Sequence, residues 1–224
     1  MYRLLAISDL HGDLASAWAA IEAAQPDVLL CCGDWGDPGE VELVDLVPFT
    51  QRLPVYTVYG NHDNLDALRA WGNRDGSSVL LPNGEARSIG PLTIAGINGI
   101  WAKSHRKPFY VLDEEVEEAA LRVAGQARSL DILLTHGCPS GVADLTWQNR
   151  HGGQRCLLRT FQVLKPRVYL TGHLHRAQEH RTQEGQVIRN IGATPRGDAT
   201  LITVSEDQLE VRTFKFRTTA DAGD

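Results

Sequence analysis

The chain has 224 residues, which is enough for one well-buried α/β domain and short for two. The formal net charge of -6 argues against a general nucleic-acid-binding surface, because binding to a phosphate backbone needs clustered Lys and Arg. The hydrophobic fraction of 42% is ordinary for a globular protein, and no apolar run approaches the length of a membrane span.

Strands and helices alternate in the first third of the sequence. Apolar runs predict strands over residues 3–8, 27–32 and 55–59. Helical spacing predicts a helix capped by Asp13, a second helix over residues 41–53 that Pro48 kinks or ends, and a short helix over residues 63–71. This alternation is typical of a parallel sheet.

The second half continues the α/β pattern and ends in strands. A strand over residues 92–96 precedes a glycine-rich connector and an acidic helix over residues 113–129. Strands over 132–135 and 167–171 flank a helix over 155–164. We expect antiparallel strands over 187–190, 201–204 and 209–216, with Asp207 and Gln208 turning the last hairpin. We predict a single domain over residues 1–217 and a disordered tail over 218–224.

The four cysteines indicate a reducing compartment. Cys31, Cys32, Cys138 and Cys156 form no C-x-x-C pair and are expected to be buried, reduced thiols. The apolar stretch at the N-terminus is too short for a signal peptide and runs straight into Asp9. The sequence therefore predicts a cytoplasmic location.

Five polar clusters each follow a predicted strand. They are Asp9-Leu10-His11, Gly33-Asp34-Trp35-Gly36-Asp37, Gly60-Asn61-His62-Asp63, Thr135-His136-Gly137 and Gly172-His173-Leu174-His175. Each alone has an ordinary explanation, such as a helix cap, a turn or a surface histidine pair. If the strands form one sheet, all five clusters meet at one edge and gather a surplus of metal ligands. Two divalent ions sharing a carboxylate would explain that surplus, and such pairs are typical of attack on phosphorus.

The clusters together resemble the calcineurin-like metallophosphoesterase superfamily. Its pattern is D-x-H, G-D-x-x-D, G-N-H-[D/E], H-G and G-H-x-H, and the resemblance spans residues 7–175. It implies an α/β fold, a four-layer α/β/β/α sandwich of two mixed sheets. A narrower resemblance is carried by residues 149–153, the helix after them, Lys165-Pro166 and Gly172-His173. These features are similar to small single-domain prokaryotic members and to animal metallophosphoesterase-domain proteins that favour phosphodiesters.

The resemblance also implies roles for individual residues. Asp9, His11, Asp34 and His175 would hold one divalent ion, and Asp34, Asn61, His136 and His173 the other, with Asp34 as the bridge. Mn²⁺ is favoured, and Fe, Ni, Zn or Co also fit. His62 would donate a proton or a hydrogen bond to the leaving oxygen, Asp37 would orient its ring, and a metal-bridging hydroxide would be the nucleophile. Asp63 is the competing partner of His62 or a helix N-cap.

The sequence predicts a binuclear metal-dependent phosphohydrolase, in the first place a phosphodiesterase acting on small phosphodiesters or nucleotides. The candidate substrate-binding residues are Arg150, His151 and Gly152, whose amide opens a helix and could face a phosphate. Trp35 and Trp147 are either pocket walls or packing residues. The alternatives are a phosphomonoesterase, including a protein phosphatase, a catalytically silent scaffold of the same fold, and a nuclease, against which the acidic balance counts. We expect no membrane partner and no long nucleic acid, and the oligomeric state stays open.

Overall fold

The computed structural model describes residues 1–206 and 208–218, and most of them lie in helices and strands. The helices are α1 (Leu14–Ala24), α2 (Leu43–Arg52), α3 (Leu65–Ala70), α4 (Asp113–Gln126) and α5 (Arg155–Leu164), and a short 3₁₀ helix spans Thr194–Arg196. The strands are β1 (Tyr2–Ile7), β2 (Val28–Cys31), β3 (Val55–Thr57), β4 (Ala86–Ile89), β5 (Leu92–Ile97), β6 (Ile100–Trp101), β7 (Tyr110–Val111), β8 (Ile132–Thr135), β9 (Val168–Thr171), β10 (Gln178–Arg181), β11 (Val187–Asn190), β12 (Asp198–Ser205) and β13 (Gln208–Lys215).

Two mixed sheets form the centre of the molecule. The first sheet has the strand order β13-β12-β1-β2-β3, and the second has the order β10-β11-β9-β8-β5-β4. Strands β1, β2 and β3 pair in parallel, as the alternation at the start of the sequence predicted. Strands β5, β8, β9 and β11 form the parallel part of the second sheet.

The side chains of single strands alternate between two hydrophobic layers. On β1, Leu5 and Ile7 pack with residues of α1, α2 and α3, whereas Leu4 and Ala6 face the second sheet. On β8, Leu134 packs between the sheets and Leu133 packs with residues of α4 and α5. This two-residue period, with both faces buried, produces the predicted four-layer α/β/β/α sandwich.

The structure corrects three details of the predicted elements. Strand β11 is parallel to β9 and antiparallel to β10, a strand that the polar segment Gln178–Arg181 did not reveal. Strand β11 therefore does not belong to the terminal antiparallel group, which consists of β12 and β13. Helix α4 ends at Gln126 rather than near residue 129.

Pro48 lies inside α2 without ending it. The residue is exposed, so the carbonyl oxygen that loses its N–H partner can bind water.

In the last predicted hairpin, Asp207 lies outside the described residues. In the predicted tail, Thr218 is buried and residues 219–224 lie outside the described residues. Among the described helices, none combines the length and the apolar character that a membrane crossing requires.

Candidate metal centre

The candidate ligands lie in loops that follow strands of both sheets. Asp9, Asp34 and Asn61 follow β1, β2 and β3, whereas His136 follows β8 and the His173/His175 pair follows β9. The five clusters were expected to meet at the edge of one sheet. The structure corrects this, because the strands that precede them belong to two facing sheets. Hydrogen bonds join the two sides. His136 Nδ1 donates to the carbonyl of Cys32 over 2.7 Å, and the amide of His173 donates to Asp9 Oδ1 over 2.9 Å.

Four of the candidate ligands form one compact cluster. Asp9, His11, Asp34 and His175 each offer one ligand atom, and these atoms lie within 4.8 Å of one another. His175 Nε2 is 3.3 Å from Asp9 Oδ1 and 3.0 Å from His11 Nε2. These are the residues predicted to hold the first ion.

The residues predicted for the second ion lie on the other side of Asp34. Asp34 Oδ2 is 3.2 Å from His136 Nε2 and 3.8 Å from His11 Nε2, so this carboxylate stands between the two predicted sets. The His136 and His173 rings are 5.1 Å apart. Asn61 follows Gly60, where an added Cβ would lie 2.5 Å from His136 Cδ2 and would collide with Asp34 Oδ1. Only glycine permits this close approach, which brings the Asn61 loop against Asp34 and His136.

The polar atoms of the cluster lack partners that a cation would supply. Because a carbonyl only accepts, His136 Nδ1 carries a hydrogen, which leaves Nε2 as the nitrogen that can give up its proton and bind a metal. His136 Nε2 is buried near Asp34 without a well-oriented hydrogen bond, and the buried Asn61 Oδ1 has no hydrogen-bond partner among the described residues. Buried polar atoms without partners are costly, and the set of imidazole, carboxylate and amide ligands fits divalent metals. The residues present therefore fit the predicted ions.

Backbone strain is concentrated on the same residues. Asp9, His11, Asp34, His173 and His175 all have positive φ, between +47° and +69°. Non-glycine residues adopt this left-handed conformation at a cost of about 1–3 kcal/mol each, and it persists where function or packing demands it. Five strained positions within one candidate ligand set are an independent sign of a functional site.

The charges of the cluster are strongly coupled. Burial acts to raise the pKa of the Asp34 carboxyl, but the neighbouring His136 more than offsets this and holds that pKa well below its ordinary value. Burial acts to lower the pKa of His136, and the Asp34 carboxylate raises it to about 9. Burial and the charge of His136 lower the pKa of His173 to about 4. His173 therefore presents a neutral imidazole, which is the form that binds metals.

The predicted catalytic pair is in contact at the edge of the cluster. His62 Nδ1 lies 2.9 Å from Asp37 Oδ2, and the two side chains are 45% and 48% exposed. The His62 ring lies 5.1 Å from the ring of His11. The pair is thus beside the candidate ligands and open to solvent.

Asp63 has neither of the roles considered for it. The N-cap of α3 is Asn64, and Asp63 is buried with its carboxylate accepting the backbone N–H groups of Asp34, Trp35 and Gly60. It is a structural acceptor that joins the loops after β2 and β3.

The three predicted substrate-binding residues belong to one loop over residues 139–154. Arg150 and His151 are exposed, and His151 Nδ1 lies 2.7 Å from Asp144 Oδ1. Asp144 is buried, also accepts the amides of Gly141 and Gly153, and was not identified from the sequence. The Gly152 amide was predicted to donate to a phosphate. The structure corrects this, because the amide already donates to the Asp144 carbonyl.

The two tryptophans that were considered as pocket walls differ in position. Trp35 is buried, and its Nε1 donates to Thr57 Oγ1, so it is a packing residue. Trp147 is 57% exposed and lies beside the guanidinium groups of Arg176 and Arg196.

All four cysteines are buried free thiols, as expected.

The fold and the cluster of Asp and His residues define a metal-dependent phosphoesterase. Residues 2–177 match the model of the calcineurin-like phosphoesterase family, and the chain belongs to that family, which uses a dimetal centre. The chain is similar to the UPF0046 protein K07C11.7 of Caenorhabditis elegans, with 24% identity. The alignment, which is 238 residues long with its gaps, covers 96% of this chain and 74% of that protein.

Solved structures share the architecture at low sequence identity. The fold is similar to that of the protein TT1561 of Thermus thermophilus, with a TM-score of 0.70, 15% identity and coverage of 95% of this chain and 98% of the other. It is also similar to a dimetal phosphatase from Danio rerio, with a TM-score of 0.55, 10% identity and coverage of 96% of each chain. These likenesses support the fold.

Proposed function

We propose that this protein is a phosphodiesterase that hydrolyses small phosphodiesters or nucleotides with the help of two divalent ions, Mn²⁺ being favoured. The observation that carries the proposal is the His62–Asp37 pair, which stands half-exposed beside a cluster of candidate metal ligands. A proton donor at the mouth of a metal centre is the arrangement that ester hydrolysis requires.

The residues of the chain divide the work between metal binding and proton transfer. Asp9, His11, Asp34 and His175 would hold one ion and Asp34, Asn61, His136 and His173 the other. Bound there, the ions would supply Lewis acidity toward phosphoryl oxygens and acidify water. Asp37 accepts the Nδ1–H of His62 and fixes its ring. Nε2 of His62 is then the atom that donates a proton to the leaving oxygen.

The open mouth favours diesters over monoesters. The side chains of His11, His62 and His175 are 33%, 45% and 36% exposed. A diester carries two substituents, and both need space around the phosphorus atom. The mixed set of carboxylate, amide and imidazole ligands is compatible with Mn²⁺. The four buried free thiols support a reducing, cytoplasmic setting.

The test compares two colorimetric substrates on the Mn²⁺-loaded protein. Bis(p-nitrophenyl) phosphate is the diester and p-nitrophenyl phosphate the monoester, so the leaving group is the same. We expect a higher kcat/KM for the diester, and loss of both activities in Asp34→Asn. A higher value for the monoester would replace the proposal with a phosphomonoesterase. No hydrolysis of either substrate by fully loaded protein would favour the scaffold alternative.

A further inference from the structure

We propose that Arg176 and Arg196, held against the indole of Trp147, form an anion subsite that binds a second, non-reacting phosphate group of the substrate. This inference rests on the proposed function, because it places the reacting phosphate at the neighbouring metal centre. It adds a substrate class, namely phosphoesters that carry a further phosphate dianion.

The three residues come from three segments, each tied to a candidate ligand loop. Arg176 directly follows His175. Arg196 ends the 3₁₀ helix Thr194–Arg196, whose first residue exchanges two hydrogen bonds of 3.0 Å with Ser8, the neighbour of Asp9.

Trp147 lies in the loop over residues 139–154, which packs against the same region. A Cβ added at Gly152 of this loop would lie 2.9 Å from Leu174, the residue between His173 and His175. The third segment therefore also contacts a candidate ligand loop, so each of the three residues lies on a segment that is joined to a loop of the metal centre.

The two guanidinium groups are gathered around one aromatic ring. The Cζ atom of Arg196 is 4.9 Å from the centre of the Trp147 ring, and that of Arg176 is 5.9 Å away. Arg176 Nη1 also donates to the Thr146 carbonyl over 2.7 Å and to Asn149 Oδ1 over 2.8 Å. Cation–π contacts and these bonds hold the cations in place before any ligand arrives.

The charge of the pair is not neutralised by the protein. Among residues 1–206 and 208–218, no carboxylate lies within ion-pair distance of Arg176 or Arg196. Several other arginines of the chain are paired with acids, namely Arg159, Arg167, Arg181 and Arg189. Two cations without a partner carboxylate, both held against one indole in a chain with a net charge of -6, create a local positive potential that attracts anions.

The geometry favours a phosphate over other ligands. A guanidinium group presents paired N–H donors that match phosphate oxygens, and two such groups suit a dianion better than a single carboxylate. A stacked nucleobase is less favoured, because guanidinium groups already lie over the Trp147 ring.

The first measurement is calorimetric and does not depend on turnover. Thymidine 3′,5′-bisphosphate and thymidine 5′-monophosphate are titrated into the Mn²⁺-loaded protein. We expect the bisphosphate to bind more tightly than the monophosphate. In Arg196→Gln the ratio of the two Kd values should fall by roughly 10- to 100-fold, the loss typical of a charge-assisted hydrogen bond to phosphate. Arg212→Gln, at an exposed position on β13, is the matched control and should retain the preference. Equal Kd values for the two nucleotides in the unmodified protein would overturn the subsite.

The second measurement uses turnover. The p-nitrophenyl ester of thymidine 5′-phosphate is compared with the same ester carrying a 3′-phosphate, and the ratio of their kcat/KM values should fall toward one in Arg196→Gln. If Trp147→Ala weakens both nucleotides equally while Arg196→Gln changes neither, the indole stacks a base and the proposal is wrong. Hydrolysis of neither ester would refute the proposed phosphodiesterase, whereas the calorimetric preference would still decide the subsite.

Discussion

The backbone N–H of Asp34 donates a 2.8 Å hydrogen bond to Oδ2 of Asp63. The same buried carboxylate accepts the amides of Trp35 over 2.8 Å and Gly60 over 2.7 Å. Burial and the nearby Asp34 charge raise the pKa of Asp63 to about 7, against the effect of its three N–H donors. Asp63 thus fixes the loops after β2 and β3, which carry Asp34 and Asn61.

We predict that Asp63→Ala destabilises the protein by about 2–4 kcal/mol, because three buried amides lose their acceptor. The free energy of unfolding, measured in urea on the metal-free protein, tests this. Asp66→Ala is the control, since Asp66 is exposed and makes only a surface ion pair with Arg69, so its change should stay within about 0.5 kcal/mol. Similar losses in the two variants would show that Asp63 does not hold these loops.

The position of Asp34 between two histidines predicts a shared ligand. Asp34→Asn should impair loading of both ions, because a neutral amide cannot bridge two dications as a carboxylate does. Asn61→Ala should mainly impair one ion. Metal content per chain, measured on both purified variants after Mn²⁺ loading, distinguishes the two patterns. Equal losses from the two variants would contradict the bridge.

Metal binding should stabilise the fold. A ligand at about 100 times its Kd adds about 2.7 kcal/mol to the stability of the folded state. For a chain of this size that corresponds to about 5–10 °C in Tm. Thermal unfolding in Mn²⁺ is to be compared with unfolding in chelator. Asp34→Asn should show a much smaller shift, and an equal shift in this variant would mean that Mn²⁺ acts elsewhere.

The sequence predicted the parts of the fold that depend on local patterns. Short apolar runs such as Ile132–Thr135 are what strands covered on both faces require, and the polar residues that follow them marked the loops of the candidate site. The partner of β11 could not be predicted, because pairing with β9 depends on the packing of distant segments. Strand β10 was missed because Gln178–Arg181 is a polar edge strand without hydrophobic alternation.

Some residues around the site carried no local signal. Asp144 is a lone acid in a loop, and only its contacts with Gly141, His151 and Gly153 show that it organises the segment. Trp147 and its two arginines come together from three separate segments, so no spacing in the sequence relates them. The motif residues could be found because each cluster is compact along the chain.

His62 contacts Asp37 but lies outside the predicted ligand set. His62→Ala should keep both ions and lose turnover, because removal of a general acid costs about 100- to 10,000-fold in rate. The loss should be smaller for nitrophenolate, which needs little protonation, than for an alkoxide or ribose leaving group.

Asp37→Asn should show a milder form of the same pattern, since the amide still contacts His62 but orients its ring less well. The measurement is kcat for both types of leaving group, together with bound metal per chain. A loss of metal in proportion to activity would make His62 a ligand or a structural residue. An equal slowing of both leaving groups would exclude proton donation, because only that role makes the defect depend on the basicity of the departing oxygen.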